Sequence, residues 1–300
     1  MNPEREFVKK LNSTGESEKN EQVPVSVGIL SYKAPKTIGA TLQVYQQKNF
    51  LKLFSEVKLF FQCVSEDDIK ISQKYNLEYM GRPDNIGIQS GMRWVVENLK
   101  SDYILYLEND CPLVVDTETA KREIQRAVSC LASGQIDVMR LRSRFTPGEQ
   151  FADVYKYTTV YTPREIDSRF KETSEVRIAP RTPLLRFLKQ LFYPSYAFRM
   201  MGRGIYIERC PEVRFPRVIK KVDDGMYVVD SAVINWTNQS ILTTKKFFLE
   251  MLDYADAHPC RRTVNNMQDM EKPLNCRWWR KQHFKIGVSD GLFTHQRLDR

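Results

Sequence analysis

The segment Y-I-L-Y-L-E-N-D, residues 103–110, joins an apolar run to two carboxylates. The apolar run is short and uninterrupted, which is typical of a strand buried on both faces of a parallel sheet. Glu108 and Asp110 are two residues apart, so in extended backbone their side chains point to the same side. Carboxylate oxygens are ligands suited to Mg²⁺ or Mn²⁺. The segment therefore predicts a buried strand that ends at a candidate metal site, although acidic turns at strand ends are also common.

Similar apolar runs alternate with helical periodicity upstream of this segment. We predict strands at residues 25–30, 57–64, 77–80 and 103–107, separated by helices at 36–55, 66–75 and 89–99. Such alternation indicates an α/β fold with a mainly parallel, Rossmann-like sheet flanked by helices. Ligands bind beyond the carboxyl ends of the strands in such sheets.

The remainder of the chain is less regular. Residues 1–22 are polar and charged without an apolar period, which predicts a flexible arm. Residues 143–220 are rich in Arg, Pro and Tyr and show little period. Further candidate elements are helices at 117–133, 244–255 and 267–282 and strands at 136–141, 227–229, 232–234 and 284–288.

Composition restricts the class of protein. Apolar residues make up 42% of the 300 residues and aromatic residues 11%, which is typical of a globular enzyme and not of a disordered chain. The net charge of +9 favours an anionic partner, namely a nucleic acid, a membrane surface or a phosphorylated small molecule. No zinc-finger spacing, aromatic RNA-binding motif or basic heptad region is present, so nucleic acid is not expected.

Cysteine usage and hydropathy suggest a compartment. The six cysteines form no CxxC pair, and the first twenty residues contain no apolar core of a secretory signal. No stretch approaches 18 uninterrupted apolar residues, so we expect no transmembrane segment, with peripheral membrane contact left open. The expectation is a cytoplasmic protein with free thiols.

Three short motifs together resemble the GT-A-fold glycosyltransferases, above all the inverting family 2. They are Ile29–Lys33 after the first strand, Asn85–Gly87 after the third, and Glu108–Asp110 after the fourth. The resemblance covers residues 23–115 and returns in the last 35 residues. It implies one GT-A catalytic domain over residues 23–300, with a nucleotide-sugar-binding half at 23–115 and an acceptor-binding half at 116–300.

The resemblance also implies roles for individual residues at the donor. Asp110 would bind the metal, together with His295, which follows the last predicted strand. Glu108 would contact the metal or the ribose, and a Glu where the family more often has Asp leaves direct ligation in doubt. The implied donor-binding residues are Ser31, Tyr32, Arg82, Asp84, Asn85, Gly87, Glu108 and Asn109, of which Asn109 is also interpreted as a spacer.

A second acidic motif, near residue 269, resembles the family's general base. Asp269 and Glu271 are the two candidates, and both are also interpretable as acids favoured by a helix N-terminus. Inversion in one displacement requires such a base on the face opposite the leaving nucleotide. Trp236 and Asn238 are candidate acceptor-binding residues, since aromatic faces stack on sugar rings, with a core Trp beside a helix cap as the alternative.

The function implied is the transfer of a hexosyl or pentosyl group from a UDP- or GDP-type sugar to a hydroxyl of a glycan or glycoconjugate, assisted by Mn²⁺ or Mg²⁺. Retention instead of inversion stays open. One alternative is a nucleotidyltransferase, although residues 31–39 hold only one Gly. The other is a noncatalytic basic binding module on the same fold. A dehydrogenase is not expected, because no GxGxxG follows the first strand.

Overall fold

A computed structural model describes residues 22–260, 263 and 267–299. The predicted arm at residues 1–22 therefore lies almost entirely outside the described residues. The described strands are β1 (Val23–Tyr32), β2 (Phe54–Gln62), β3 (Glu78–Arg82), β4 (Tyr103–Glu108), β5 (Val138–Arg142), β6 (Ile219–Asp223), β7 (Met226–Asp230), β8 (Ile241–Thr244) and β9 (Lys285–Phe293). The described α-helices are α1 (Pro35–Gln47), α2 (Glu66–Tyr75), α3 (Gly87–Glu97), α4 (Thr117–Ala132), α5 (Asp153–Thr158), α6 (Pro183–Phe192), α7 (Pro194–Met200), α8 (Pro211–Arg214), α9 (Lys245–Ala257), α10 (Glu271–Leu274) and α11 (Arg277–Gln282).

All nine described strands form one sheet in the order β3-β2-β1-β4-β8-β5-β9-β7-β6. Strands β3, β2, β1 and β4 are parallel neighbours, and β5 is parallel to β9. Only β8 and β7 run against the others among the described strands, because each is antiparallel to both of its neighbours. The predicted fold class, a mixed and mainly parallel sheet flanked by helices, is confirmed.

The sheet is covered on both faces, which explains why its central strands are apolar throughout. Along β2, Leu59 and Phe61 pack into one buried cluster, and Phe60, between them, packs into the other. Helices α1 and α4 contribute apolar side chains to the first cluster, and α3 and α9 to the second. The period of two along each strand thus feeds two separate cores.

The first half of the chain follows the sequence prediction closely. Helix α2 spans the predicted residues 66–75, and a capping box at Ser65 and Asp68 fixes its start. The predicted helix at 36–55 is wrong in its second part. Helix α1 ends at Gln47, Asn49 has a left-handed φ of 51°, and the chain then passes through a short 3-10 helix into β2 at Phe54.

The second half differs more from the prediction. Residues 232–234 form a turn and not a strand, and the predicted helix at 267–282 is reduced to α10 and α11. The region 143–220, which shows little period in the sequence, contains four short helices, α5 to α8, joined by longer irregular segments. Among the described residues, no helix is both long and apolar enough to cross a bilayer.

Two glycines give a test of how tightly the sheet packs against its helices. A Cβ on Gly28 of β1 would lie 2.3 Å from Val95 Cγ1 of α3, whereas a Cβ on Gly39 of α1 would meet nothing closer than 4.0 Å. We expect Gly28→Ala to lower the free energy of unfolding by about 1–3 kcal/mol through overpacking. The matched Gly39→Ala should raise it by about 0.5–1 kcal/mol, because Ala favours a helix interior.

Urea unfolding of both variants measures the difference. Equal losses of stability in the two variants would contradict the close approach of β1 to α3.

Candidate active site

The carboxyl ends of β1 and β4 meet in a cavity of about 350 Å³, here called the donor cavity. The two strands are parallel neighbours, with Leu30 paired to Glu108, so their last residues lie side by side. Six predicted donor residues line this cavity: Ser31, Tyr32, Asn85, Gly87, Glu108 and Asn109. Sequence positions nearly 80 residues apart are thus brought to one edge of the sheet, as expected for an α/β fold.

The segment 85–87 presents backbone to the donor cavity. Gly87 has a φ of +79°, and a Cβ there would lie 2.6 Å from Met267 Cβ, so both conformation and space require glycine. The Asn85 side chain accepts a hydrogen bond from Gly87 N at 2.9 Å. Gln62 fixes the same turn by accepting from Ile86 N at 2.8 Å and donating to Gly87 O at 3.3 Å.

Two predicted donor residues do not reach this cavity. The Arg82 guanidinium lies 3.2 Å from Asp84 Oδ1, and neither residue is among those that line the cavity. Ser31, in contrast, is buried, and its Oγ has no hydrogen-bond partner. A buried hydroxyl without a partner is costly, so Ser31 Oγ is available for a ligand.

Asp110 is the most deeply buried carboxylate of the site, with 1% of its surface exposed. Its Oδ2 lies 2.9 Å from His295 Nε2 and accepts a hydrogen bond from Arg297 Nε at 2.6 Å. Burial alone would raise the pKa of Asp110, but His295 and Arg297 outweigh it and hold that pKa below its ordinary value. Asp110 is therefore ionised, and its charge is balanced by the C-terminal segment.

The pair Asp110 and His295 fits a divalent cation. His295 Nε2 is buried and has no well-formed hydrogen bond, although it lies next to a carboxylate oxygen. Two buried ligand atoms that lie 2.9 Å apart can share a metal ion. No group of three or more His, Cys, Asp or Glu side chains suited to a metal occurs among the described residues. Mg²⁺ and Mn²⁺ are commonly held by one or two protein ligands together with substrate phosphates.

Glu108 differs from Asp110 in its protonation. Burial and the neighbouring charge of Asp110 both raise the pKa of Glu108 well above its usual range. The side chain lines the donor cavity without an ion-pair partner among the described residues. A carboxyl of this kind donates a hydrogen bond when neutral, and ligates a metal when a cation displaces its proton.

A second cavity of about 270 Å³ is lined by Trp236, a predicted acceptor-binding residue, and is called the acceptor cavity for that reason. Glu271, His295 and Arg297 also line it, and Arg297 lines the donor cavity as well. The two cavities therefore adjoin at Arg297.

Asp269 and Asn238 lie behind the wall of the acceptor cavity. Asp269 Oδ1 accepts hydrogen bonds from Asn238 Nδ2 at 2.9 Å and from Glu271 N at 3.1 Å. Asn238 N in turn donates to Glu271 Oε1 at 3.1 Å. Neither Asp269 nor Asn238 lines the acceptor cavity, whereas Glu271 does. Burial and the charge of Asp269 raise the pKa of Glu271.

Several residues of the site were missed by sequence reasoning. Arg297 lies two residues beyond His295, and its position beside a metal-ligand candidate was an available signal. Gln62 ends β2 as a polar residue in an apolar strand, which was another. Asp299 accepts a hydrogen bond from Thr37 N at 2.6 Å and so holds the C-terminal segment at the rim of the donor cavity. No local pattern indicated that contact.

No protein-family model matches the chain, and no curated protein sequence matches it. Among solved structures, it is similar to fragment 1–349 of TarS from S. aureus in complex with UDP-GlcNAc. The identity is 15%, the TM-score is 0.46, and the match covers 92% of this chain and 59% of that one. The chain thus spans less than two thirds of that fragment.

Two further structures match over shorter regions. The mannosyltransferase PcManGT from Pyrobaculum calidifontis, in complex with GDP-Man and Mn²⁺, is 12% identical, with a TM-score of 0.34 over 41% of this chain and 36% of that one. Glucosyl-3-phosphoglycerate synthase from Mycobacterium tuberculosis, in complex with Mn²⁺ and UDP-glucose, is 12% identical, with a TM-score of 0.31 over 39% of this chain and 42% of that one.

The matched structures have the GT-A-like glycosyltransferase fold that the sequence resemblance implied. Because their TM-scores are below 0.5 and their identities are 12–16%, these similarities assign no activity and no ligand to this chain. The activity of this chain is therefore inferred from its own residues.

Replacing Arg297 tests the balance of charge at Asp110. We expect Arg297→Gln to lower the free energy of unfolding by roughly 1–2 kcal/mol, because a buried carboxylate loses its guanidinium partner. Since Arg297 and a metal ion compete for the same oxygen, the variant should also gain more thermal stability from Mn²⁺ than the unmodified protein does.

Thermal unfolding with and without Mn²⁺ measures both effects. Arg209→Gln, which removes an exposed ion pair, is the matched control and should change neither value. A variant that is destabilised but no more responsive to Mn²⁺ would contradict a metal at Asp110 Oδ2.

Proposed function

We propose that this protein is a glycosyltransferase that transfers a sugar from a nucleotide-sugar donor to a hydroxyl group of an acceptor, with inversion of the anomeric centre. The nucleotide-sugar-binding half is residues 23–115, and the acceptor-binding half is residues 116–300. The acceptor class proposed here is a glycan or glycoconjugate.

One observation carries the proposal. Two cavities share Arg297, which donates a hydrogen bond to Asp110; Ser31, with an unpaired hydroxyl, lines the first cavity, and Glu271, an acid with a raised pKa, lines the second. A group-transfer reaction between two substrates needs such an arrangement, since the reacting atoms must be brought within contact of each other. A noncatalytic module has no need of an acid with a raised pKa in the second cavity.

The donor cavity supplies the contacts for a nucleoside diphosphate. Backbone at Asn85 and Gly87 allows close approach of the nucleotide, and Ser31 Oγ is free to accept or donate a hydrogen bond. Asp110 and His295 would hold a divalent cation, which when bound supplies positive charge for the diphosphate leaving group. Arg297, released from Asp110, is then available to the same phosphates.

Glu271 is the general base in this proposal. It takes the proton from the acceptor hydroxyl while that oxygen forms a bond to the anomeric carbon and the carbon–phosphate oxygen bond breaks. Its exposure to the acceptor cavity and its raised pKa support this role, because a stronger base accepts the proton more readily. Asp269 acts as a positioning residue, since Asn238 bridges it to Glu271 by hydrogen bonds.

The test begins with a thermal-shift screen of nucleotide sugars in the presence of Mn²⁺, which identifies a donor by the stabilisation it confers. With that donor and an acceptor present, Glu271→Gln should lower the rate at which the nucleotide is released by about 10²–10⁴-fold, with little change in the KM for the donor. Asp269→Asn should have a smaller effect, because it alters only the support of Glu271.

Glu250→Gln on the exposed side of α9 is the matched control and should leave the rate unchanged. A larger loss in Asp269→Asn than in Glu271→Gln would reverse the assignment of the base. No stabilisation and no turnover with any nucleotide sugar would leave a binding module as the better description.

A further inference from the structure

A third cavity of about 200 Å³ adjoins the acceptor cavity and is lined by four cationic residues. They are Lys156, Arg199, Arg203 and Arg280, and no acidic residue is among the described residues that line it. Lys156, Arg203 and Asn235 line the acceptor cavity as well, so the two cavities share a wall. We call this third space the cationic cavity.

The guanidinium groups of the cationic cavity are held in place by the protein. Arg203 is 7% exposed, and its Nε lies 2.8 Å from Asp153 Oδ1. Arg280 donates to Ala232 O at 3.2 Å and to Asn235 Oδ1 at 2.9 Å. The orientation of these side chains is therefore fixed before any ligand arrives.

Positive charge in the cationic cavity is not balanced. Four cationic side chains line the cavity, and among the described residues one carboxylate, that of Asp153, forms an ion pair with any of them. Arg199 Nε is buried and has no hydrogen-bond partner. Burial, followed by repulsion from Arg199 and Arg203, lowers the pKa of Arg280. Like charges brought together in this way cost stability unless an anion binds between them.

We propose that the cationic cavity binds a phosphate group carried by the acceptor. This inference rests on the proposed transferase function, since it describes the substrate of the same site. Guanidinium groups match the oxygens of phosphate with paired hydrogen bonds. A cavity lined by three guanidinium groups and one ammonium group suits a phosphate dianion better than it suits a ligand with a single carboxylate. The hydroxyl group of the acceptor would then lie in the acceptor cavity while the phosphate group of the same molecule lies in the cationic cavity.

The experiment measures thermal unfolding with inorganic phosphate or glucose 6-phosphate, in the presence of UDP so that the donor cavity is filled. Both ligands should raise Tm, and Arg199→Gln should weaken the apparent affinity for each by about tenfold or more. Without ligand, this variant should be at least as stable as the unmodified protein, because it loses like-charge repulsion. Arg209→Gln, at an exposed ion pair, is the matched control.

The outcomes separate the two proposals. Equal responses of Arg199→Gln and the unmodified protein, or the same rise of Tm with NaCl at equal ionic strength, overturn the phosphate site. Tighter binding of inorganic phosphate than of glucose 6-phosphate overturns its assignment to the acceptor. A protein that responds to phosphate but to neither UDP nor GDP keeps the anion site and loses the proposed transferase function.

A separate observation concerns helix α6, whose amphipathic faces are reversed. Its outer face carries large apolar side chains that are 50–69% exposed: Leu184, Leu185, Phe187, Leu191 and Phe192. Its polar residues face the protein instead. Arg186 is 8% exposed and donates to Thr158 O at 2.7 Å and to Ala179 O at 2.8 Å. These contacts keep the apolar side chains turned outward.

The charge around α6 has one sign. Residues 176–207 contain six Lys or Arg and no Asp or Glu. Arg186 faces the protein, and two others line the cationic cavity. The cations left to border the helix are Arg177, Arg181 and Lys189. The pKa of the Lys189 amine is lowered by burial and then by repulsion from Arg181, which precedes the helix. An apolar helix face bordered by cations is typical of helices that lie in the interface of an anionic bilayer.

We infer that the outer face of α6 docks on the surface of a bilayer that contains anionic lipid. A helix of ten residues is about 15 Å long. One face of a helix of that length covers much less area than the roughly 800 Å² that each partner buries in a stable protein interface. Insertion of a short apolar face into a bilayer needs no such area, and the flanking cations complement the lipid headgroups.

Co-sedimentation with vesicles tests this surface. The protein should bind vesicles of phosphatidylcholine and phosphatidylglycerol, and bind pure phosphatidylcholine more weakly. The double variant Leu184→Glu/Phe192→Glu should lose about tenfold or more of the vesicle binding and keep its Tm, because both side chains are exposed. Val213→Glu, at an apolar residue that is 72% exposed on α8, is the matched control.

Three outcomes overturn the bilayer proposal. They are absence of binding to anionic vesicles, equal binding by the double variant, and a dimer in solution that the double variant dissociates. The last result, measured by size-exclusion chromatography with light scattering, would assign the face to a second copy of the chain.

Discussion

The charge of Asp110 is the constraint around which the site is organised. A carboxylate that is 1% exposed needs polar or charged partners, and two of them, His295 and Arg297, come from residues that follow the last strand. Backbone hydrogen bonds reinforce the tie, because Thr294 N donates to Pro112 O and Gln296 N donates to Asp110 O. The end of β4 is thereby joined to the C-terminal segment. In this segment, Arg297 lines both the donor cavity and the acceptor cavity, and His295 lines the acceptor cavity.

The first half of the fold could be predicted from the sequence because its signals are local. Each strand from β1 to β4 is a short apolar run, and each intervening helix has its own period or cap, as Ser65 and Asp68 give α2. The second half could be predicted only in part. Helices α4 and α9 and strands β5, β7 and β9 lie close to their predicted positions, whereas β6 and β8 were missed because short strands lack a distinctive period. Helix α6 follows the helical period but with its apolar face outside, which no rule based on burial anticipates.

The candidate site was predictable in part for the same reason. Motifs at the ends of β1 and β4 converge because parallel neighbours end at the same edge. The prediction grouped Arg82 with the donor residues, whereas in the structure it pairs with Asp84 away from the cavity. Asp269 and Glu271 are only two residues apart, so the sequence alone did not distinguish them. Their surroundings differ in the structure. Asp269 accepts a hydrogen bond from the side chain of Asn238, 31 residues away, and does not line the acceptor cavity, whereas Glu271 does.

The hydrogen bond between Asp299 and Thr37 has a practical consequence for handling the protein. Any polypeptide fused directly after Asp299 starts next to the rim of the donor cavity, since Asp299 lies there. A purification tag or fluorescent protein at that position would compete with substrates for the same space.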